Sequence, residues 1–357
     1  METLVEGKVP VTVSDVDASL LAECTVPAGR PAALCLPAGT VEQVCRWLTE
    51  HRDSLRAVLD RFGAVYLRGS PVRTAEDFGR VRDAVMAERA SYKENATPRS
   101  HFGDDVFSST DLPAAQAIRP HNENSYTLTF PGLLLFGCLV APATGGATPV
   151  TDVRAVRDAI PVDLLGRFRA DGWALVRNYS DYFGLSWRTA FATEDPADVA
   201  SYCAANLIAH EWQDDGGLRT VQRRSAVITH PRTGDEVWFN HLVFWNEWSL
   251  DPDMREVMLE ALGAQNLPFN TAFGTGEPCT AEDIEVIDDA YRAATVRESW
   301  AVGDLLLVDN LLCAHGREPF TGDRKILVAM GEPVELARCR PTVEPLAGFA
   351  DPGRSVS

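Results

Sequence analysis

Short apolar runs separated by turn residues dominate the chain from residue 118 onward. The runs are rich in Val, Leu, Ile and aromatic residues, and Gly, Asp or Pro stands between them: "GLLLFGCLV", "ALVRNY", "SAVITH", "EVWFNHLVF", "SWAVGDLLLVDN" and "KILVAMG". Runs of this length and composition are typical of β-strands. Many short strands bounded by turns predict an antiparallel barrel or a jelly roll.

Helical periodicity is confined to segments that flank these strands. Apolar residues recur at helical spacing in residues 41–63, 74–88 and 252–265, and Thr74 is an N-cap candidate. Residues 91–120 show no periodicity and hold several Pro and Gly residues, which predicts a long loop. The fold class is therefore predicted to be mainly β with flanking helices.

Charge and cysteine usage narrow the class of protein. The 357 residues carry a formal net charge of -18, which would repel nucleic acid and an anionic membrane surface. The first residues lack the basic and apolar regions of a signal peptide, and no apolar run reaches the roughly 20 residues that span a membrane. The eight cysteines are scattered and form no C-x-x-C pair of a zinc or redox motif, which fits a reduced cytoplasm, although an even number also allows a disulfide. These features predict a cytoplasmic protein without nucleic-acid or membrane partners.

A candidate metal site begins at His121 and Glu123. Side chains at i and i+2 of a strand point to the same face, so the imidazole and the carboxylate can converge on one ion. His315 follows the run "LLLVDNLLCA" and is the candidate third ligand. Two histidines and one carboxylate are typical of non-haem Fe(II) oxygenases, but zinc hydrolases use the same ligand types. The ligands alone leave both options open.

A candidate carboxylate site favours the oxygenase. Arg324 stands at the start of the strand that follows His315, and its forked donors suit a carboxylate group. Thr148 can add a hydroxyl donor to the same group. An oxygenase with a dicarboxylate cosubstrate needs such a site.

The motifs together resemble the Fe(II)/2-oxoglutarate oxygenases of the taurine catabolism dioxygenase family. The chain is most similar to its branch of syringomycin-pathway-type amino-acid hydroxylases. The similar elements run in family order from about residue 55 to 331: "FGAVYLRG", "EDFGRV", "SYKENATPRS", "SST", "HNENSY", "PATGGATPVTD", "TGDEVWFN", "GDLLLVDNLLCAHGR" and "PFTGDRKILVAMG".

The resemblance implies a double-stranded β-helix, or jelly-roll, core within a single oxygenase domain of residues 1–357. Residues 1–117 would form an N-terminal α/β elaboration with an active-site loop. Residues 118–331 would form the core, with a helical insert at about 153–225, and residues 332–357 a C-terminal tail.

The resemblance also implies the roles of the site residues. Fe(II) would be bound by His121, Glu123 and His315. The keto-acid end of 2-oxoglutarate would chelate the metal, and O2 would be the co-reactant. The distal carboxylate would contact Arg324 and Thr148, with Arg317 as the alternative anchor.

Further residues are candidates by position. Asn240 matches the Asn of a family F-N-Q motif and is a candidate cosubstrate or substrate contact, whereas His241 departs from that motif. Arg99, Asn124 and His241 are candidate substrate contacts.

The implied reaction is hydroxylation of an aliphatic C–H bond of an amino acid or an amino-acid-derived compound. The substrate would be free or tethered to a carrier protein, in natural-product (antibiotic) biosynthesis. Glu123 occupies the position that halogenases leave open for chloride, so halogenation is disfavoured, and desaturation or epoxidation are rarer outcomes. The alternative class is a jelly roll that binds a ligand or zinc without oxidation. A homo-oligomer is compatible with the sequence.

Overall fold

The computed structural model describes residues 20–90, 100–182 and 184–350. The strands, numbered in chain order, are β1 (Ala32–Cys35), β2 (Ala64–Arg68), β3 (Phe107–Ser108), β4 (Ile118–His121), β5 (Thr129–Val140), β6 (Thr144–Gly145), β7 (Val150–Asp152), β8 (Trp173–Tyr179), β9 (Ala209–Trp212), β10 (Leu218–Arg224), β11 (Val227–Thr229), β12 (Glu236–Trp238), β13 (Phe269–Phe273), β14 (Thr295–Val296), β15 (Leu305–Asp309), β16 (Cys313–Arg317), β17 (Phe320–Thr321), β18 (Lys325–Glu335) and β19 (Leu346–Ala347).

The α-helices lie between groups of strands. Their bounds are Val41–Glu50, Arg52–Phe62, Ala75–Val85, Val153–Ala159, Val162–Asp171, Trp187–Phe191, Pro196–Ala205, Pro252–Leu262 and Ala281–Ala294. Short 3-10 turns occur at Glu247–Ser249, Ala264–Asn266 and Leu336–Cys339. None of these helices is long and apolar enough to cross a membrane.

The largest sheet has the order β1-β2-β15-β5-β18-β3. Its central strand β5 pairs antiparallel with β15 and β18. Successive β5 side chains point to opposite faces: Leu133 and Leu135 pack in the core beneath the N-terminal helices, and Leu134 and Phe136 pack in a second core. Burial on both faces explains why β5 is apolar from Phe130 onward rather than alternating.

A smaller sheet, β14-β7-β16-β4, faces the largest one. Val150 of β7 and Cys313 of β16 pack in the same core as Leu134 and Phe136 of β5. Two facing sheets with a shared core form a jelly roll, and the predicted fold class is confirmed. The candidate metal ligands His121 and His315 lie on the smaller sheet, and Glu123 follows β4 by two residues.

Several element boundaries differ from the predictions. The helix predicted at 41–63 is two helices, because His51 leaves helical geometry (φ -109°, ψ 18°) while its Nδ1 lies 2.8 Å from the carbonyl oxygen of Trp47. The helix Pro252–Leu262 forms as predicted, but it has no buried residue. The longest helix, Ala281–Ala294, was not predicted, although Thr280 and Asp283 form a capping box at its start.

The segment predicted as a helical insert, residues 153–225, also contains strands. β8 and β10 belong to a third sheet of order β13-β8-β10-β19, with β9 on the edge of β10. Residues of β10 alternate between buried and half-buried, which is the pattern of a strand covered on one face. The segment after residue 331 completes β18 and adds β19 to this third sheet.

Candidate metal and cosubstrate site

Three metal-ligand side chains meet where β4 and β16 lie side by side. His121 and His315 are direct cross-strand partners in this antiparallel pair, and Glu123 follows β4 by two residues. Oε2 of Glu123 lies 3.9 Å from Nε2 of His121 and 3.6 Å from Nε2 of His315. One ligand atom from each residue lies within 4.8 Å of the other two. This spacing and donor set fit one ion bound by two imidazoles and a carboxylate, the arrangement of non-haem Fe(II) sites.

The orientation of His121 is set by its own strand. Its Nδ1 lies 3.0 Å from the carbonyl oxygen of Arg119, and a carbonyl can only accept a hydrogen bond. Nδ1 is therefore the donor of this hydrogen bond, and Nε2 is left to face Glu123. A backbone carbonyl on the outer nitrogen is a common way to orient a metal-binding histidine.

Asn310 holds the backbone of Glu123 from both sides. Its Oδ1 accepts from the backbone N–H of Glu123 at 2.7 Å, and its Nδ2 donates to the carbonyl oxygen of Glu123 at 2.9 Å. Nδ2 also donates to the carbonyl oxygen of Pro131 at 2.7 Å, and the side chain is fully buried. Asn310 lies in the turn between β15 and β16, so it fixes the Glu123 segment relative to the strand that bears His315.

We expect Asn310→Ala to lower iron affinity as well as stability. The substitution removes both hydrogen bonds that Asn310 makes to the buried backbone of Glu123, at roughly 0.5–1.5 kcal/mol for each bond. Loss of a supporting contact typically weakens a metal site by about 10–100-fold. Iron titration and thermal unfolding of the apoprotein would measure the two effects. Reduced stability with unchanged iron affinity would show that Asn310 supports only the fold.

The ligands open into a cavity with about 590 Å³ of empty space. Its lining residues are Ser109, Thr110, Ile118, His121, Glu123, Asn124, Tyr126, Phe136, Thr148, His241, Phe244, His315, Gly316, Arg317 and Arg324. Aromatic side chains supply much of its wall, as is common in small-molecule sites. The metal ligands and Arg324 therefore share one compartment.

Arg324 carries a partly buried positive charge without a carboxylate partner among the described residues. Its Nε donates to the carbonyl oxygen of Gly146 at 2.9 Å, its Nη1 to Ser109 Oγ at 3.2 Å and its Nη2 to Thr148 Oγ1 at 3.3 Å. Burial, and then the nearby Arg317 guanidinium, lower the pKa of Arg324 to about 10. A bound carboxylate would stabilise the charged form of Arg324 and offset both effects, so this end of the cavity suits an anion.

Arg317 contacts the cavity differently. Its guanidinium donates to three backbone carbonyl oxygens, of Leu112 at 2.9 Å and of Pro113 and Gln116 at 2.6 Å. The side chain is 4% exposed, and burial lowers its pKa. Arg317 thus holds the loop that precedes β4 in place through hydrogen bonds. The hydrogen-bond acceptors around Arg324 leave room for a ligand.

The remaining candidates differ in their position. Asn124 and His241 line the cavity. Asn240 does not line the cavity. Its side-chain amide is hydrogen-bonded to the backbone: Nδ2 donates to the carbonyl of Ala226 and Oδ1 accepts from the N–H of Leu242. Arg99 lies outside the described residues.

His241 is buried next to the metal ligands. Its Nδ1 lies 2.6 Å from Ser125 Oγ, and its ring centroid lies 5.5 Å from that of His121. Burial, and then the charges of His121 and Arg177, lower the pKa of His241 well below its ordinary value. His241 is therefore a neutral hydrogen-bonding group in the cavity wall.

Sequence reasoning missed several residues around the site. Ser109 lies in the quoted motif "SST" but was not assigned a role, and Phe136 and Phe244 were not singled out. Asn310 lies in the quoted motif "GDLLLVDNLLCAHGR". No local pattern indicates its contact with Glu123, which is 187 residues away.

A jelly roll in which two histidines and one carboxylate share a cavity with a partly buried arginine has the features of a non-haem Fe(II) oxygenase that uses a keto acid. The chain belongs to the taurine catabolism dioxygenase TauD, TfdA family, whose family model matches residues 31–330. It is accordingly a dioxygenase that depends on Fe(II), 2-oxoglutarate and O2 and acts on a small molecule. The predicted family and enzyme class are confirmed.

Individual relatives cover most of the chain. It is 36% identical over 277 residues to the dapdiamide synthesis protein DdaC of Enterobacter agglomerans, covering 78% of this chain and 84% of that protein. It is 29% identical over 312 residues to a clavaminate synthase-like protein of Arabidopsis thaliana, covering 84% and 90% of the two chains. A taurine dioxygenase structure from Burkholderia xenovorans has a TM-score of 0.52 at 17% identity, covering 92% of this chain and 96% of that one, and supports the fold.

Proposed function

We propose that His121, Glu123 and His315 bind Fe(II), and that Arg324 and Thr148 bind the distal carboxylate of 2-oxoglutarate. The observation that carries the proposal is their shared cavity: a three-residue ligand group faces a partly buried arginine whose polar contacts are a carbonyl and two hydroxyls. A dicarboxylate can bridge the two ends, with its keto acid at the metal and its far carboxylate at Arg324.

The protein's own contribution to the reaction is binding, orientation and exclusion of water. Fe(II), 2-oxoglutarate and O2, when bound, would supply the oxidising chemistry, in which 2-oxoglutarate is converted to succinate and CO2 and the second oxygen atom of O2 is available to the substrate. His121, Glu123 and His315 would hold Fe(II) through three protein ligands, which would leave coordination positions for the cosubstrate and O2. Phe136 and Phe244 form an apolar wall, and neutral His241 and Asn124 offer hydrogen bonds to a substrate.

We infer hydroxylation as the reaction. Glu123 supplies a carboxylate at the position that a chloride ligand would need, so halogenation is disfavoured. Desaturation and epoxidation begin from the same site. Mass spectrometry identifies desaturation, which removes two hydrogen atoms, whereas hydroxylation and epoxidation each add one oxygen atom and are distinguished by NMR of the product.

The proposed substrate is an amino acid or an amino-acid-derived compound of a natural-product pathway, free or tethered to a carrier protein. The similarity to a dapdiamide synthesis protein supports this class. We also propose a cytoplasmic location, since all eight cysteines are free. A single-domain organisation is supported by β1, β2 and β3, which complete the largest sheet.

A screen of amino acids, free and loaded on carrier proteins, would test the proposal. We expect one substrate to stimulate release of succinate from 2-oxoglutarate only when Fe(II) and O2 are both present. Comparing the free amino acid with the same amino acid on its carrier would separate the two modes of presentation. Binding of zinc in preference to iron, with no succinate under any condition, would favour the non-oxidative alternative.

A further inference from the structure

Trp300 contacts the residue that we propose to hold the cosubstrate carboxylate. Its indole Nε1 donates to Thr148 Oγ1 at 3.2 Å, and Arg324 Nη2 donates to the same oxygen at 3.3 Å. A hydroxyl oxygen has two lone pairs and one proton. Because two donors occupy the lone pairs of Thr148, its remaining capacity is to donate its own proton.

We propose that Trp300 is a positioning residue for 2-oxoglutarate and acts through Thr148. A carboxylate accepts hydrogen bonds and cannot donate them, so it needs Thr148 to present its proton. The hydrogen bond from the Trp300 N–H fixes the Thr148 hydroxyl in this orientation before 2-oxoglutarate binds. Less conformational entropy is therefore lost when the carboxylate binds. The inference rests on the proposed function, because it requires Arg324 and Thr148 to bind the distal carboxylate.

The indole is held in the core between the two facing sheets. Trp300 is 7% exposed, and its ring centroid lies 5.1 Å from that of Tyr66. The Tyr66 hydroxyl donates to the backbone carbonyl of Glu298 at 3.4 Å, which fixes that ring in turn. A phenylalanine at residue 300 keeps an aromatic ring in this core and removes the N–H, so Trp300→Phe tests the hydrogen bond with limited change to the packing.

The test is the affinity of the Fe(II) enzyme for keto acids, measured anaerobically by calorimetry without turnover. We expect Trp300→Phe to raise the 2-oxoglutarate dissociation constant by about 3- to 10-fold, the size of one neutral hydrogen bond. 2-Oxobutyrate has the same chelating end but no distal carboxylate, so its affinity should not change. An equal loss for both keto acids would overturn the proposal, because Trp300 would then act on the cavity as a whole.

A double-mutant cycle with Thr148→Val tests the route of the effect. If Trp300 acts through the Thr148 hydroxyl, Trp300→Phe has no further effect on affinity once that hydroxyl is absent. Fully additive losses would overturn the proposal. Trp187→Phe is the matched control: Trp187 is also buried, and its Nε1 makes one hydrogen bond, to the carbonyl of Gly216, in a separate core. This control should lower stability without changing keto-acid affinity.

The same data separate failure of this inference from failure of the cosubstrate site. Unchanged 2-oxoglutarate affinity in both Thr148→Val and Arg324→Ala would overturn the proposed site and the inference with it. A large loss in those two variants, with wild-type affinity in Trp300→Phe, would overturn only the role of Trp300.

Discussion

His315→Ala should abolish turnover and weaken iron binding by more than about 100-fold, since loss of a residue that merely supports a ligand costs about 10–100-fold. His315 is one of three groups whose ligand atoms lie within 4.8 Å of one another, and its loss leaves one imidazole and one carboxylate. The core between the sheets is built from apolar side chains of β5, β15 and β18, so the fold should survive. Iron content after anaerobic loading, succinate release and thermal unfolding of the apoprotein would measure the three quantities.

His210→Ala is the matched control for this experiment. His210 lies on β9, an edge strand of the third sheet, and is exposed. Its substitution removes an imidazole without touching the cavity, so iron content and turnover should equal those of the wild type. Full iron loading and normal turnover in His315→Ala would refute the proposed ligand set.

The sequence was informative about the site where function depends on residue type and local spacing. His121 and Glu123 are two residues apart, and the structure brings both to one point with His315. The apolar run "GLLLFGCLV" likewise predicted a strand, and it forms most of β5. Such local patterns can be read before the fold is known.

The contacts that hold the site together could not be predicted from local sequence patterns. Asn310 is 187 residues from Glu123, and Trp300 is 152 residues from Thr148. Each pair meets only after the sheets have formed, and neither an asparagine in a turn nor a tryptophan before a strand signals its partner. The misjudged helix boundary at His51 has a local cause, but it depends on a side-chain contact with Trp47 that periodicity does not encode.

The choice between Arg324 and Arg317 shows the same limit. Both arginines follow His315 closely, and both line the cavity. Hydrogen-bond acceptors separate them: three carbonyl oxygens of a loop bind the Arg317 guanidinium, whereas a carbonyl and two hydroxyls surround that of Arg324. Hydroxyls, unlike carbonyls, can also donate to a bound carboxylate, so the geometry favours Arg324 as the anchor.

Arg324→Ala should raise the dissociation constant for 2-oxoglutarate by roughly 30-fold to several-thousand-fold, because truncating one partner of a buried charge pair costs about 2–5 kcal/mol. Iron affinity should stay close to that of the wild type, since Arg324 is not among the three metal-ligand residues. Arg324→Lys should recover only part of the affinity, because a single ammonium cannot replace the planar fork that contacts Gly146, Ser109 and Thr148. Anaerobic titration of 2-oxoglutarate into each Fe(II) protein, followed by the charge-transfer band of the metal and the keto acid, would measure these changes. Wild-type affinity in Arg324→Ala together with a large loss in Arg317→Ala would transfer the anchor to Arg317.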